Sequence, residues 1–274
     1  MKKLTLIVLA TVLLALTSPF VNGQNNVWSL PPNYYDFILG YQSLPKPTNN
    51  PWGTSNDPTD PYDGYDWQTA TYTHNAMQNK DGDLLFFIVD NVIYNKDGYF
   101  IEEFNSPVGG SELMIVPAID NCNRYYIFSG SQSSTSSVPW YAIFDFNENT
   151  FDPVNPWTTS SLSEHGFYCP TFVCSDPLVP INGTHISGGY WGAGITKNGI
   201  LSYAASPIIN NQRYIYCQLR NNIYVLRLDA IGLAYVGEIP YQTLSNFYAS
   251  GPGNRSEMEL IKIAPGKYRL VMSF

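Results

Sequence analysis

The stretch Asp81-Gly82-Asp83-Leu84-Leu85-Phe86-Phe87-Ile88-Val89-Asp90-Asn91-Val92-Ile93-Tyr94-Asn95-Lys96-Asp97-Gly98 carries the reading of the fold. Asp83 to Val89 and Val92 to Asn95 are short aromatic and β-branched runs, side chains that suit a pleated, half-buried surface. Asp-Gly dipeptides punctuate them, and after the turn Asn95-Lys96-Asp97-Gly98 a further run follows from Tyr99 to Phe104. Short runs separated by such turns predict a meander of antiparallel strands.

The same grammar recurs on the C-terminal side. Strands are expected at Glu112 to Ala118, Arg124 to Ser129 and Trp140 to Phe146, then at Ile200 to Ala204, Arg213 to Gln218, Asn222 to Asp229 and Ala234 to Ile239. Each cluster packs three or four strands into roughly 40 residues, the size of one propeller blade. The segment from Ser111-Glu112-Leu113 through Arg124 to Ser129 is also matched by Ser256-Glu257-Met258 through Tyr268 to Phe274: Ser-Glu, strand, turn, aromatic-rich strand.

Composition agrees with an all-β chain. Of the 274 residues, 15% are aromatic and only 13% charged, with 21 Gly and 20 Pro. Helix surfaces are normally clothed in Glu, Lys, Arg and Ala, so helix bundles are disfavoured. The expected fold is a partial β-propeller of about four to five antiparallel blades over residues 66–274, preceded by an irregular Pro, Asn, Asp and Tyr-rich leader at 24–65. The terminal run Arg269 to Phe274 is a strand without a polar cap, which leads to the expectation that the chain is a truncated reading frame or the front of a longer protein, incomplete at its C-terminus.

Residues 1–23 read as a signal peptide. Met1-Lys2-Lys3 is a basic start, Leu4 to Leu16 an apolar core too short for a comfortable membrane span, and Val21 and Gly23 allow cleavage before Gln24. The protein is therefore expected to be secreted, extracellular or at the cell surface. With 22 acidic against 14 basic residues, its surface would repel a phosphate backbone, which argues against nucleic acid as a partner.

The four cysteines, Cys122, Cys169, Cys174 and Cys217, would meet an oxidising compartment. Three pairings are open. Cys169 with Cys174 is favoured because the Pro-bearing segment between them reads as a tight loop, leaving Cys122 and Cys217 to pair if the fold brings them together.

The run Asp81 to Gly98 resembles a first-blade motif of large secreted surface proteins of gliding-type bacteria, in which a D-G-x-L-L-F strand precedes an I-Y-N-K-D-G hairpin. Glu112 to Pro117 with Asn121-Cys122-Asn123-Arg124-Tyr125-Tyr126-Ile127-Phe128 resembles the strand pair after it, and Arg213 to Tyr216 with Asn222-Ile223-Tyr224 is similar to a later blade. The resemblance covers about Asp81 to Ile239. It implies a WD40-like or related propeller at the N-terminal end of an extracellular protein of a kind that often finishes with a sorting domain for the type IX export route and sometimes carries adhesion modules, and it carries no catalytic residues.

Chemistry is sparsely signposted. No Gly-x-Ser-x-Gly elbow, His-Glu-x-x-His helix or phosphate-cradling loop occurs. His74, His165 and His185 are scattered, and Glu164 beside His165 is the most site-like neighbourhood. Glu102, Glu103, Glu112, Glu238 and Glu257 are the carboxylates from which a glycosidase pair would have to be drawn. Asp57, Asp60, Asp63 and Asp66 recur every three residues and could offer hard oxygens to calcium, although Asp-Pro and Asp-Gly are also ordinary turn dipeptides. No other cofactor is expected. Tyr62, Trp67, Tyr190 and Trp191 are the expected ligand contacts, because aromatic side chains in loops stack on sugars or anchor protein partners.

The function expected from these features is non-catalytic binding or scaffolding at the cell surface, towards an extracellular protein or glycan. A propeller-type carbohydrate-active enzyme and a fragment of an adhesin-like chain, whose partner would be its own missing remainder, are the alternatives.

Overall fold

The chain is all-β in a computed structural model that describes residues 27–36, 39–47, 64–79, 81–105, 113–133, 136–150, 152, 160–168, 179–180, 201–219, 222–240 and 258–272. The first sheet contains β1 (Val27–Leu30), β2 (Asn33–Asp36) and β3 (Gly40–Ser43). The second contains β4 (His74–Gln78), β5 (Leu84–Val89), β6 (Val92–Asn95) and β7 (Phe100–Glu103). The third runs through β8 (Met114–Pro117), β9 (Arg124–Ser133), β10 (Ser136–Phe146), β11 (Ser160–Tyr168) and β12 (Val179–Pro180). The fourth has β13 (Ser202–Ala205), β14 (Arg213–Leu219), β15 (Asn222–Asp229) and β16 (Gly232–Pro240), and the fifth β17 (Met258–Ala264) and β18 (Lys267–Met272). In every sheet the spatial order follows the chain order and all pairings are antiparallel. The described helical structure is a single 3-10 turn at Glu148–Thr150.

Asx turns set the hairpins. Asn95 Oδ1 accepts the N–H groups of Asp97 (3.0 Å) and Tyr99 (2.9 Å), while Gly98 N–H donates to Asn95 O (3.0 Å). In the related Asn79-to-Asp83 turn, Asn79 Oδ1 accepts from Asp81 (2.9 Å) and Asp83 (3.0 Å), and Gly82 N–H donates to Asn79 O (3.2 Å). A side-chain oxygen that mimics a backbone acceptor closes each turn and leaves the flanking residues free to pair. The Asn79 to Asp83 segment is thus a hairpin turn, as its composition suggests.

Period-2 alternation then divides each strand between two cores. On β5, Phe86 and Ile88 face the third sheet with Ile93, Ile115, Ile127, Trp140 and Phe144, whereas Phe87 and Val89 face the first sheet with Tyr65, Val92 and Tyr94. The third sheet is also two-sided, because Met114, Val116, Tyr126, Phe128 and Tyr141 pack instead against Tyr203, Ile215, Cys217 and Leu226 of the fourth. Each such fully buried Phe, Ile or Leu contributes about 1.5–3 kcal/mol relative to exposure. Edge-on aromatic contacts tighten the seam: Phe86 meets Tyr125 at 5.0 Å and Phe144 at 5.3 Å.

The first strands of successive sheets lie side by side: β1 beside β4, β4 beside β8, β8 beside β13, and β13 beside β17. Later strands of successive sheets also meet, β7 with β11 and β12 with β16. The two similar hairpins of the sequence become β8–β9 and β17–β18, each opening its own sheet. The described sheets form no closed ring.

Two expectations change. The leader is not irregular at Val27–Leu30, Asn33–Asp36 and Gly40–Ser43, where it makes the first sheet, because Tyr34 and Asp36 alternate inward against the second sheet. Cys122 and Cys217 do not pair: Cys122 is an exposed free thiol in the Asn121 turn, and Cys217 is a buried free thiol on β14. Strand alternation turns Cys217 into the core between the third and fourth sheets, away from the surface turn. Cys169 and Cys174 lie outside the described residues.

Candidate ligand-contact surface

Leu44 to Pro47 and Gly64 to Tyr65 cross the Asn95-to-Gly98 turn at close quarters. Tyr65 N–H donates to Gly98 O (2.8 Å), and a Cβ on Gly98 would stand 2.4 Å from Pro45 O. Tyr65 is buried against Phe87, 5.1 Å between ring centroids. Burial pushes its phenol pKa far up.

This crossing projects Trp67. Its indole N–H donates to Leu44 O (3.0 Å), its backbone is left-handed at φ 60°, and its side chain is 55% exposed. A left-handed φ is uncommon outside Gly and costs on the order of 1 kcal/mol or more, so the tertiary contacts hold this residue in place. Lys46 Nζ stands 5.6 Å from the Trp67 ring centroid and pairs with Asp66. Asp66 is therefore engaged by a lysine; Asp57, Asp60 and Asp63 lie outside the described residues, as do Tyr62, Tyr190 and Trp191. Among the described residues no cluster of His, Cys, Asp or Glu is arranged to hold a metal.

The outer face of the first sheet is a second exposed aromatic surface, which sequence reading missed. Ser29, Tyr34 and Asp36 turn inward, and Asp36 Oδ2 accepts from Gln78 Nε2 at 2.8 Å. Alternation sends Leu30, Asn33, Tyr35, Tyr41 and Ser43 outward. Tyr35 and Tyr41 are register partners, 41% and 65% exposed. The signal that could have found them is the in-out pattern of Asn33-Tyr34-Tyr35-Asp36, which the surrounding Pro and Asn residues obscure.

The site-like pair on β11 separates. Glu164 is in register with Ala142 and faces the second sheet, where its Oε1 accepts Asn105 N–H at 2.6 Å. His165, one residue on, faces the other way and stacks on Tyr141 at 5.0 Å. Glu102 accepts from Ser160 Oγ (3.1 Å), Glu103 from Asn91 Nδ2, and Glu238 is exposed. Burial raises the Glu102 pKa, the Ser160 bond opposing it. His74 begins β4, while His185, Glu112 and Glu257 lie outside the described residues.

Two further polar features stand out. A cleft of 280 Å³ lies between the Asn95 turn and the Glu148 turn, lined by Asn95, Lys96, Tyr99, Phe146, Glu148 and Asn149 and spanned by a Lys96–Glu148 ion pair. Arg213, at the start of β14, is only 9% exposed and faces the core of the third and fourth sheets, with its Nε and Nη1 making no hydrogen bond. Burial lowers its pKa. Among the described residues no helix is long and apolar enough to cross a membrane.

No protein-family model, curated protein or solved structure matches this chain.

Proposed function

We propose that this protein is a secreted, non-catalytic binding or scaffolding module whose sheets are the blades of an open, propeller-like arc. The observation that carries the blade reading is the side-by-side run of first strands, β1, β4, β8, β13 and β17, with each meander stepping outward from it. Blades related this way stack sheet on sheet and support loops that can vary without disturbing the core.

Binding is favoured over catalysis by how the carboxylates are used. Glu102, Glu103 and Glu164 each hold a neighbouring strand or turn through a hydrogen bond. Glycoside hydrolysis would instead need two carboxyl groups facing each other across a cleft. Contact with an extracellular protein or glycan would run through exposed aromatic side chains, Trp67 first among them, with Tyr62, Tyr190 and Trp191 as further loop contacts. Type IX export and attachment to the cell surface belong to this reading and are supported by the resemblance of the Asp81 to Gly98 motif alone.

A glycan array, a pull-down of extracellular proteins and a polysaccharide hydrolysis screen test the reading together. Saturable binding without turnover is expected, weakened by Trp67→Ala. Turnover of a polysaccharide that disappears on changing one glutamate would replace the binding reading with the enzymatic one. N-terminal sequencing of exported protein is expected to begin at Gln24.

A further inference from the structure

Resting on the binding reading, we infer that the outer face of the first sheet is a stacking platform for a neutral, hydroxyl-rich polysaccharide. Tyr35 on β2 and Tyr41 on β3 are opposite one another in register, with backbones about 5 Å apart. Both side chains point to solvent, and Leu39 in the intervening turn is 69% exposed. The next row along carries Leu30, Asn33 and Ser43, with Ser43 Oγ 3.3 Å from Asn33 Oδ1. Rings thus lie beside amide and hydroxyl groups on one surface.

Charge decides the kind of ligand. The chain has 22 acidic and 14 basic residues, yet Leu30, Asn33, Tyr35, Leu39, Tyr41 and Ser43 are all uncharged. Asp36, the one acid of β2, is turned inward and buried. Among the described residues of this face a polyanion would find no cation, and the acidic excess of the chain would oppose it, while a cationic partner would find no exposed carboxylate. A neutral pyranose chain presents apolar C–H faces to the rings and hydroxyl groups to Asn33, Ser43 and the phenols.

The platform is also tied to the second sheet. Asp36 Oδ1 accepts Leu39 N–H at 2.8 Å, joining the end of β2 to the residue before β3, while its Oδ2 accepts from Gln78 Nε2 of the second sheet at 2.8 Å. A surface ordered before the ligand arrives loses less entropy on binding.

The test is affinity electrophoresis of the full chain through gels containing hydroxyethylcellulose or soluble starch as neutral probes and alginate as the anionic one. Retardation by a neutral polysaccharide but not by alginate is expected. The Tyr35→Ala/Tyr41→Ala double variant should bind at least about tenfold more weakly, and Tyr35→Phe/Tyr41→Phe should stay within about threefold of the parent. If the alanine variant loses its cooperative melting transition, protection of Tyr35 and Tyr41 from nitration by the bound polysaccharide in the parent protein decides instead. Retardation by alginate alone, or by none of the three, overturns the inference. So does loss of binding in Trp67→Ala with the double alanine variant unchanged, a result that leaves the broader binding reading standing. A parent dimer that Tyr35→Ala/Tyr41→Ala dissociates would assign the face to a second copy of the chain and overturn the inference as well.

Discussion

Glu164 Oε1 accepts the backbone N–H of Asn105 at 2.6 Å, tying strand β11 of the third sheet to the residues that follow β7 in the second. The acceptor is a buried carboxylate and the donor a main-chain amide, so the bond is charge-assisted and leaves an orphan if broken. Glu164→Ala should destabilise the protein by about 1–3 kcal/mol in urea titration. Glu164→Gln retains a side-chain oxygen and should cost less. A loss of ligand binding with unchanged unfolding would instead make Glu164 a contact residue.

Glu102 responds to pH in a direction that burial dictates. Its folded pKa lies above the ordinary value of 4.5, because desolvation outweighs the Ser160 hydrogen bond. The folded state therefore holds this proton more tightly than the unfolded chain does, and stability falls as pH rises from about 4.5 through the raised folded pKa. Glu102→Gln removes the ionisable group and keeps an acceptor for Ser160 Oγ. Its melting temperature should exceed the parent's at pH 7, with the gap closing below pH 4.5; a gap independent of pH would refute this account.

Gly98 has φ +85° and a neighbour, Pro45 O, 2.4 Å from where a Cβ would sit. Backbone strain and a clash with main chain act together, so Gly98→Ala should cost more than about 2 kcal/mol. Gly266 has φ +67° and nothing within 4 Å, which leaves strain alone. Gly266→Ala should cost about 1 kcal/mol, and equal losses at the two sites would contradict the close crossing of the leader.

The thiols should react in a fixed order. Cys122 is exposed, whereas Cys217 is buried beneath Tyr203 and burial pushes its thiol pKa far up. Thiolate is the reactive form, so maleimide should label Cys122 in the native protein and Cys217 only after unfolding. Peptide mapping checks this, and a Cys122–Cys217 disulfide in protein isolated under oxidising conditions would contradict the fold.

Arg213 is a buried cation with unbonded nitrogens in an apolar seam. A guanidinium keeps its proton in proteins, so its desolvation is not relieved by neutralisation. Arg213→Met should be neutral or stabilising, by up to about 2 kcal/mol. A strong loss of stability would mean that the guanidinium has a partner beyond the described residues.

Much of the fold was legible because it is local. Asp83 to Val89 and Val92 to Asn95 were readable as strands, since β-branched and aromatic runs bounded by Asx and Gly turns have few other solutions, and β5 and β6 end within a residue of those limits. The candidate site was less legible. Trp67 was readable as an exposed aromatic residue, but Tyr35 and Tyr41 were hidden in a leader whose Pro and Asn content masks four-residue strands.

What the sequence determined by itself is therefore the set of short strands, their turns and the all-β class, because hydrogen-bonded hairpins and period-2 alternation are properties of neighbouring residues. Only the tertiary structure decided which face of each strand meets which sheet. Phe86 and Phe87 are chemically alike and adjacent, yet they enter different cores. Glu164 and His165 are adjacent too, and the pleat of β11 sends them to opposite faces. Adjacency in a strand separates side chains rather than joining them, so a site made of neighbours in sequence dissolves, while Tyr35 and Tyr41 come together across a turn.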